Sequence, residues 1–228
     1  MNVTHTPIVR EGSVELITRV LLVRHGRTAL NAANLLRGHL DPDLDSTGRI
    51  EADLLANVLR AERLSLVLSS PLARAVQTAR AIADRSGLRV EVESGFIDRD
   101  YGPWAGTSKE AVVARWGSLE SAPDVESRFS VLSRARAALD SAARRIPNGA
   151  LAIVSHDAVN RALLANLDDR FGDGDAIGQD TGCFNIVERR GSRWSVVSVN
   201  NVPSKVPTRS HPRIHAERAE FDDEEEQK

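Results

Sequence analysis

Arginine, histidine and small polar side chains come directly after three runs of apolar residues in this chain. Such runs are typical of buried strands, and the carboxyl ends of parallel strands meet at one edge of a sheet. We therefore expect the three segments to converge although they are far apart in the sequence. They are Arg24-His25-Gly26, Ser69-Ser70-Pro71 and Ser155-His156-Asp157.

The residue types at and near these strand ends suit the binding of a phosphate group. Arg24 and Arg74 carry planar, permanently charged guanidinium groups that match phosphate oxygens. Gly26 allows the backbone to approach an anion closely, and a helix that begins just after it favours negative charge at its N-terminus. His25 and His156 are then candidates for a nucleophile and for a group that stabilises charge.

The elements that must position these side chains alternate between strands and helices. Ser46 or Thr47 is the expected N-cap of one helix, and Ser70 that of another, which Gly87 ends. The alternation predicts an α/β fold, a three-layer α/β/α domain with a mostly parallel central sheet. Strands are expected at 17–23, 64–68, 90–92, 151–154, 184–187 and 194–199, and the clearest helices around residue 50, after residue 71, from 129 to about 146 and at 158–167.

The chain reads as one domain with a polar extension at each end. Residues 1–16 form an N-terminal arm, 17–202 the domain, and 203–228 a polar, acidic tail that we expect to be disordered. Inside the domain, residues 107–127 are an irregular, partly helical excursion between two regular helices. The histidines His211 and His215 of the tail are flexible-tail residues in this interpretation, and no metal or cofactor is expected.

Composition excludes several classes of partner. The formal net charge of −2 gives no reason to expect nucleic acid or an anionic membrane surface. No run of about 18 apolar residues occurs, so no membrane-spanning helix is predicted. Cys183 is the single cysteine, which allows no intrachain disulfide and fits a reducing compartment, so the expected location is the cytoplasm. The oligomeric state stays open, with a homodimer as one alternative.

Four ordered blocks of the sequence form a recognisable pattern. The first is Arg24-His25-Gly26-Arg27-Thr28 with Asn31 three residues on, and the others are Ser69–Ala79, Asp98–Gly106 and Val154-Ser155-His156. Together they resemble the histidine phosphatase superfamily, often called phosphoglycerate mutase-like, whose signature is RHGxTxxN. The resemblance runs from about residue 19 to residue 200. It implies a phosphoglycerate mutase-like fold.

The resemblance also implies a role for each matching residue. His25 attacks phosphorus and holds the phosphoryl group as phosphohistidine, while Arg24, Arg74 and His156 bind the transferring phosphate. Asn31, Thr28, Gly26 and Asp157 are the further substrate-binding candidates, although Thr28 also suits a cap at a helix start and Asn31 a helix surface. The expected substrate is a small phosphorylated metabolite.

The proton donor is the open part of this assignment. The family branch with this block order usually has glutamate where this chain has Asp98, and aspartate does the same chemistry with one methylene less. The last block commonly reads His-Gly, whereas this chain reads His156-Asp157, which is similar to the donor motif of the acid phosphatase branch. Asp98 is the favoured donor, with Asp157 and Asp100 as alternatives.

Three functions are consistent with the sequence. The leading one is a metal-independent phosphomonoester hydrolase. The second is a phosphoglycerate mutase-type phosphotransferase, but residues 107–127 are short and lack the Arg-Arg pair of the mutases that this chain resembles. The third is a catalytically idle domain that binds phosphorylated ligands, since Asp98 departs from the family's glutamate.

Overall fold

A six-stranded mixed sheet forms the centre of the computed structural model, which describes residues 16–204. The predicted arm at 1–16 and tail at 203–228 lie outside the described residues, apart from Leu16, Pro203 and Ser204. The strand order is β3-β2-β4-β1-β5-β6. The strands are β1 (Ile17–Arg24), β2 (Leu64–Ser69), β3 (Val90–Val92), β4 (Gly149–Ser155), β5 (Phe184–Arg190) and β6 (Arg193–Asn201).

Parallel and antiparallel pairs divide the sheet into two parts. Strands β3, β2, β4 and β1 are mutually parallel, whereas β5 pairs antiparallel with both β1 and β6. The chain returns from β5 to β6 through a tight turn, so these two strands need no crossover helix. The predicted mostly parallel sheet is confirmed, with an antiparallel pair at one edge.

Helices cover both faces of the sheet. They are α1 (Ala29–Ala32), α2 (Ser46–Leu59), α3 (Ala73–Ser86), α4 (Lys109–Trp116), α5 (Arg128–Arg145) and α6 (Asp157–Leu167). Leu21 and Val23 of β1 pack towards α2 and α3, while Val20 and Leu22 pack towards α5 and α6. Each such fully buried aliphatic side chain contributes about 1.5–3 kcal/mol. The three-layer α/β/α architecture is therefore confirmed, and none of the described helices has the length and apolar character to cross a bilayer.

The start of α2 differs from the prediction. Its N-cap is Asp45, whose carboxylate accepts a hydrogen bond from the Gly48 amide at 2.8 Å. Ser46 is then the first helical residue, and Thr47 accepts a hydrogen bond from the Arg27 guanidinium instead of capping the helix. An aspartate one residue upstream supplies the stronger acceptor for the free amides.

The start of α3 also differs from the prediction. The N-cap position is Leu72 and not Ser70, and Leu72 provides no side-chain cap. The amide of Ala73 instead donates to the carboxylate of Asp41, in a different loop, at 2.7 Å. Ser70 lies before the helix, where its hydroxyl accepts a hydrogen bond from the Leu72 amide at 3.3 Å and lies 2.7 Å from His156 Nε2. The predicted end of α3 at Gly87 is confirmed by that residue's left-handed backbone, with φ of +67°.

A small third hydrophobic cluster packs loop segments together outside the two main cores. Leu36, Tyr101, Val112 and Ala122 bury their side chains together, apart from the two main cores. They join the loop after α1 to the excursion at 107–127, of which α4 is the helical part. This cluster holds Leu36 in place, and thereby the loop that carries the next residue, Arg37.

The loop after β1 touches α2 through two glycines. A Cβ on Gly26 would lie 2.4 Å from the Gly48 carbonyl oxygen, and a Cβ on Gly48 would lie 2.0 Å from the Arg27 carbonyl oxygen. Both distances are far below van der Waals contact, so the two backbones approach this closely only because neither residue has a side chain. The contact holds the segment 25–27 in place.

Gly48→Ala is therefore expected to lower the free energy of unfolding by about 3 kcal/mol, the upper range for an overpacked site. This loss outweighs the helix propensity of alanine, which favours it over glycine by about 1 kcal/mol. The matched control is Gly87→Ala, where φ is +67° but no atom lies within 4 Å of the new Cβ, and its cost is about 1 kcal/mol. Urea unfolding curves measure both, and equal losses would contradict the packing argument.

Candidate active site

Three neighbouring strands end at the same edge of the sheet. Strands β2, β4 and β1 lie side by side and run parallel, with Arg24 opposite Ser155 and Ser69 opposite Val154. The amide of His25 donates to the Ser155 carbonyl at 3.1 Å just beyond the last pair. The predicted convergence of the three polar segments is what the sheet order produces.

His25 has a fixed ring orientation and is completely buried. Its Nδ1 lies 2.7 Å from the carbonyl oxygen of Gly26, which can only accept a hydrogen bond. Nδ1 therefore carries the proton, and Nε2 is the acceptor nitrogen of the ring. The Nε–H of Arg74 donates to this Nε2 at 3.2 Å, so the unprotonated nitrogen faces a guanidinium group.

Arg74 is fully buried in the first turn of α3 and connects several parts of the site. One terminal nitrogen donates to the Leu40 carbonyl at 2.7 Å. The other donates to the Gly38 carbonyl and to the Asp98 carboxylate, each at 2.9 Å. Together with the contact to His25, these bonds hold a planar cation rigidly beside the ring nitrogen.

His156 lies opposite His25 at the end of β4. The ring centroids are 5.1 Å apart, and the side chain is fully buried. Its Nε2 is 2.7 Å from the Ser70 hydroxyl. Its Nδ1 has no hydrogen-bond partner among residues 16–204 and lies 3.7 Å from Asp98 Oδ2. An unpaired ring nitrogen beside a carboxylate is suited to bind an incoming polar group.

Burial and nearby cations keep both rings neutral. Burial, reinforced by the positive charges of Arg74, Arg24 and Arg37, holds the pKa of His25 well below its ordinary value. The pKa of His156 is well below its ordinary value for the same reasons. A neutral imidazole is the nucleophilic form, so the environment maintains the reactive state at physiological pH.

Arg24 supplies a second cation from the end of β1. It is 8% exposed and donates to the Gln179 carbonyl, and its Nε has no hydrogen-bond partner in the part of the chain that the structure describes. Gln179 is itself held by the side-chain amides of Asn160 and Asn185, each at 3.1 Å. Burial lowers the pKa of Arg24, but an arginine remains charged at neutral pH.

The three candidate proton donors lie in different environments. Asp98 is 1% exposed and contacts Arg74. Asp157 is half-buried and forms an ion pair with Arg161 of the same helix. Asp100 is about half exposed, and its carboxylate accepts a hydrogen bond from the backbone of the following turn. Asp98 is the one of the three that is buried against the same guanidinium as His25.

The remaining predicted binding residues have structural partners. Thr28 and Asn31 form a reciprocal capping box at the start of α1: the Asn31 amide donates to Thr28 Oγ1, and the Thr28 amide donates to Asn31 Oδ1. The amide of Gly26 donates to Thr78 Oγ1 at 3.0 Å. These contacts explain the residue types without a ligand, and their predicted roles in substrate binding stay predictions.

Arg134 of α5 is a further supporting residue, and it lies outside the four sequence blocks. Its guanidinium donates to the carbonyl oxygens of Gly95, Ile97 and Asp98 at 2.7–3.1 Å, and pairs with Glu126 at 2.8 Å. The loop that carries the candidate acid is thus fixed through its main chain. The Glu126-Ser127 segment followed by Arg134 was the available signal.

Arg37 is a third cation near the histidines that sequence reasoning missed. One terminal nitrogen donates to the Leu35 carbonyl at 3.1 Å, and its buried Nε has no hydrogen-bond partner among the described residues. Its charge contributes to the lowered pKa of both histidines. No local signal singles it out among the 27 arginines of the chain (30 basic residues less the three lysines), because its place depends on tertiary packing.

Comparison with known proteins agrees with this arrangement. The model of the histidine phosphatase superfamily (branch 1) matches residues 20–202. Phosphoserine phosphatase 1 of Hydrogenobacter thermophilus is 34% identical over 161 residues, which cover 66% of this chain and 76% of that protein.

Solved structures share the fold. A complex of mycobacterial glucosyl-3-phosphoglycerate phosphatase with VO3 has a TM-score of 0.73 at 27% identity, covering 80% of this chain and 98% of that one. A phosphoglycerate mutase from Bacillus anthracis has a TM-score of 0.74 at 21% identity, covering 82% of this chain and 94% of that one. The second likeness concerns the fold alone.

The buried histidines lead to a prediction on titration. The ring C–H signals of His25 and His156 are expected not to shift between about pH 5.5 and 8, because both pKa values lie well below about 6.5. Below about pH 6.5 the two histidines become protonated in the unfolded chain but stay neutral in the native protein. The free energy of unfolding therefore falls as the pH is lowered. NMR titration, with assignment by His25→Asn and His156→Asn, measures this, and a midpoint near 6.5 for either ring would contradict it.

Proposed function

The chain belongs to the histidine phosphatase superfamily (branch 1), and on this premise we propose that it hydrolyses a small phosphorylated metabolite through a phosphohistidine at His25. One observation carries the proposal. The Gly26 carbonyl fixes the proton on His25 Nδ1, so that Nε2 presents its lone pair next to the Arg74 guanidinium. Phosphoryl transfer requires an oriented, unprotonated nucleophile and positive charge next to the transferring group.

In the first step, His25 Nε2 attacks phosphorus in line with the ester oxygen. The N–P bond forms, the P–O bond to the alcohol breaks, and the protonated Asp98 carboxyl group gives its proton to the departing oxygen. The Gly26 carbonyl stabilises the positive charge that develops on the imidazole ring.

In the second step, water attacks the phosphohistidine. The Asp98 carboxylate accepts a proton from this water, the new O–P bond forms, and the N–P bond breaks. Inorganic phosphate leaves with His25 neutral and Asp98 protonated, so the cycle is closed. One carboxyl group serves both steps, as acid and then as base.

Fixed positive charge replaces a metal ion in this mechanism. The proposal assigns the peripheral oxygens of the transferring group to Arg24, Arg74 and His156. Arg74 and His156 lie against His25, and the charge of Arg24 acts on the His25 ring. Electrostatic stabilisation of this kind is the largest contribution to phosphoryl transfer. We therefore propose that the reaction needs no metal and no cofactor.

Hydrolysis is favoured over the alternatives. A mutase has to retain and reorient a bisphosphorylated intermediate, and residues 107–127, with the short helix α4, lack the Arg-Arg pair expected for that task. An idle binding domain has no need of a neutral, oriented imidazole beside a buried carboxylate. Assays on 3-phosphoglycerate separate the first two, because a phosphatase releases phosphate and a mutase forms an isomer.

We also propose a cytoplasmic location. Cys183 is buried, and burial raises the pKa of its thiol to about 12, so the thiol stays protonated and unreactive. A chain with this single cysteine needs no oxidising compartment.

Replacement of the nucleophile is expected to abolish turnover. His25→Ala should lower phosphate release from p-nitrophenyl phosphate by about four orders of magnitude or more. Rapid quenching in alkali of wild-type protein mixed with a labelled substrate should trap an acid-labile phosphoryl group, which His25→Ala does not form. Chelators should leave the wild-type rate unchanged. An active His25→Ala protein of unchanged unfolding temperature would refute the proposal.

The identity of the proton donor is tested by two matched substitutions. Asp98→Asn should lower kcat for an alkyl phosphate by about 10²–10⁴-fold. It should lower the phosphorylation step with p-nitrophenyl phosphate far less, because nitrophenolate leaves without a proton. Asp157→Asn removes an equal charge and should reduce kcat less for both substrates. The opposite order of the two variants would assign the role to Asp157.

A further inference from the structure

A cavity of about 450 Å³ opens beside the two histidines. It lies between the loop after α1, the start of α5 and the helix α6. Arg37 and Asp157 form part of its wall, whereas His25, Arg74 and His156 are absent from the lining among the residues that the structure describes. The cavity therefore adjoins the phosphoryl site without containing it, and its volume suits a ligand of metabolite size.

The wall of this cavity combines apolar surface with positive charge. Leu36 and Leu132 lie on it, and Phe129, whose side chain is 79% exposed, stands at its edge. Such a surface packs against the carbon skeleton of a bound molecule. Four arginines and one lysine also line it.

Most of the arginines of the wall already have carboxylate partners. Arg128 pairs with Asp175 at 2.8 Å, and Arg161 pairs with Asp157. Arg99 lies 2.7 Å from a carboxylate oxygen of Glu120. Arg37 is the exception: it forms no ion pair within the described range 16–204.

Arg37 is also placed between the two compartments. Within residues 16–204 its buried Nε has no hydrogen-bond partner, and one terminal nitrogen donates to the Leu35 carbonyl at 3.1 Å. It acts electrostatically on His25 and on His156 while its side chain lines the neighbouring cavity. A partly buried guanidinium without a carboxylate is costly to maintain, and an anionic ligand removes that cost.

We propose that Arg37 binds a carboxylate carried by the alcohol portion of the substrate, whose carbon skeleton lies in this cavity. This inference rests on the proposed phosphatase function and adds the substrate class: phosphomonoesters of acidic alcohols. The guanidinium fork matches a carboxylate with two parallel hydrogen bonds. The transferring phosphoryl group is served by Arg24, Arg74 and His156, so the fork of Arg37 faces the other end of the substrate.

A pair of substrates that differ by one carboxylate tests the proposal. O-phosphoserine and O-phosphoethanolamine have the same ester and amine groups, and only the first carries a carboxylate. Wild-type protein should prefer phosphoserine in kcat/KM by about 10- to 100-fold, the effect of a charge-assisted hydrogen-bonded pair. In Arg37→Gln this ratio should fall to nearly one. Because the ratio compares two substrates at one pH, any general effect on His25 cancels.

Arg85→Gln is the matched control, since Arg85 ends α3 on the surface and bonds to Asn57. It should keep the wild-type ratio. Equal losses on both substrates in Arg37→Gln would overturn the inference, because Arg37 would then bind the transferring phosphoryl group. A wild-type ratio near one would also overturn it. Failure of the phosphatase function itself looks different, as neither substrate nor p-nitrophenyl phosphate would then release phosphate in a His25-dependent way.

Discussion

The site depends on one buried guanidinium group. Arg74 contacts Nε2 of His25, the carboxyl group of Asp98, and the carbonyl oxygens of Gly38 and Leu40. A charge without exposure to water is tolerated only when its donors are satisfied and a counter-charge is close. Arg74 therefore holds Asp98 and the loop of residues 38–40 in place, and these partners in turn hold the guanidinium group.

Much of this arrangement could be predicted from the sequence because it follows from sheet order. Buried apolar runs marked β1, β2 and β4, and parallel neighbours must end at one edge, so His25 and His156 had to meet. The roles of Ser70 and Asn31 were harder to foresee. A serine before a helix and an asparagine inside one suit caps in general, and the choice depends on which partner the fold brings near. Arg37 acts only through tertiary contacts, so no local pattern identifies it.

The arginines near the two histidines have two electrostatic effects. Arginines close to the histidines keep the rings neutral, and the same charges attract an anionic substrate. The Asp98 carboxyl group contacts the Arg74 guanidinium at the centre of the site. In the resting state these arginines hold the loops and Asp98 in place, while both rings stay neutral.

The hydrogen bonds from Arg134 to the loop that carries Asp98 have an evolutionary consequence. Its three hydrogen bonds go to carbonyl oxygens, which every amino acid possesses. The path of the loop is thus insulated from the identity of its side chains. Mutations can exchange the acid at position 98 for a longer or shorter one, or remodel the neighbouring positions, while the scaffold beneath them persists. Single substitutions can therefore change the side chains of this loop without changing its path.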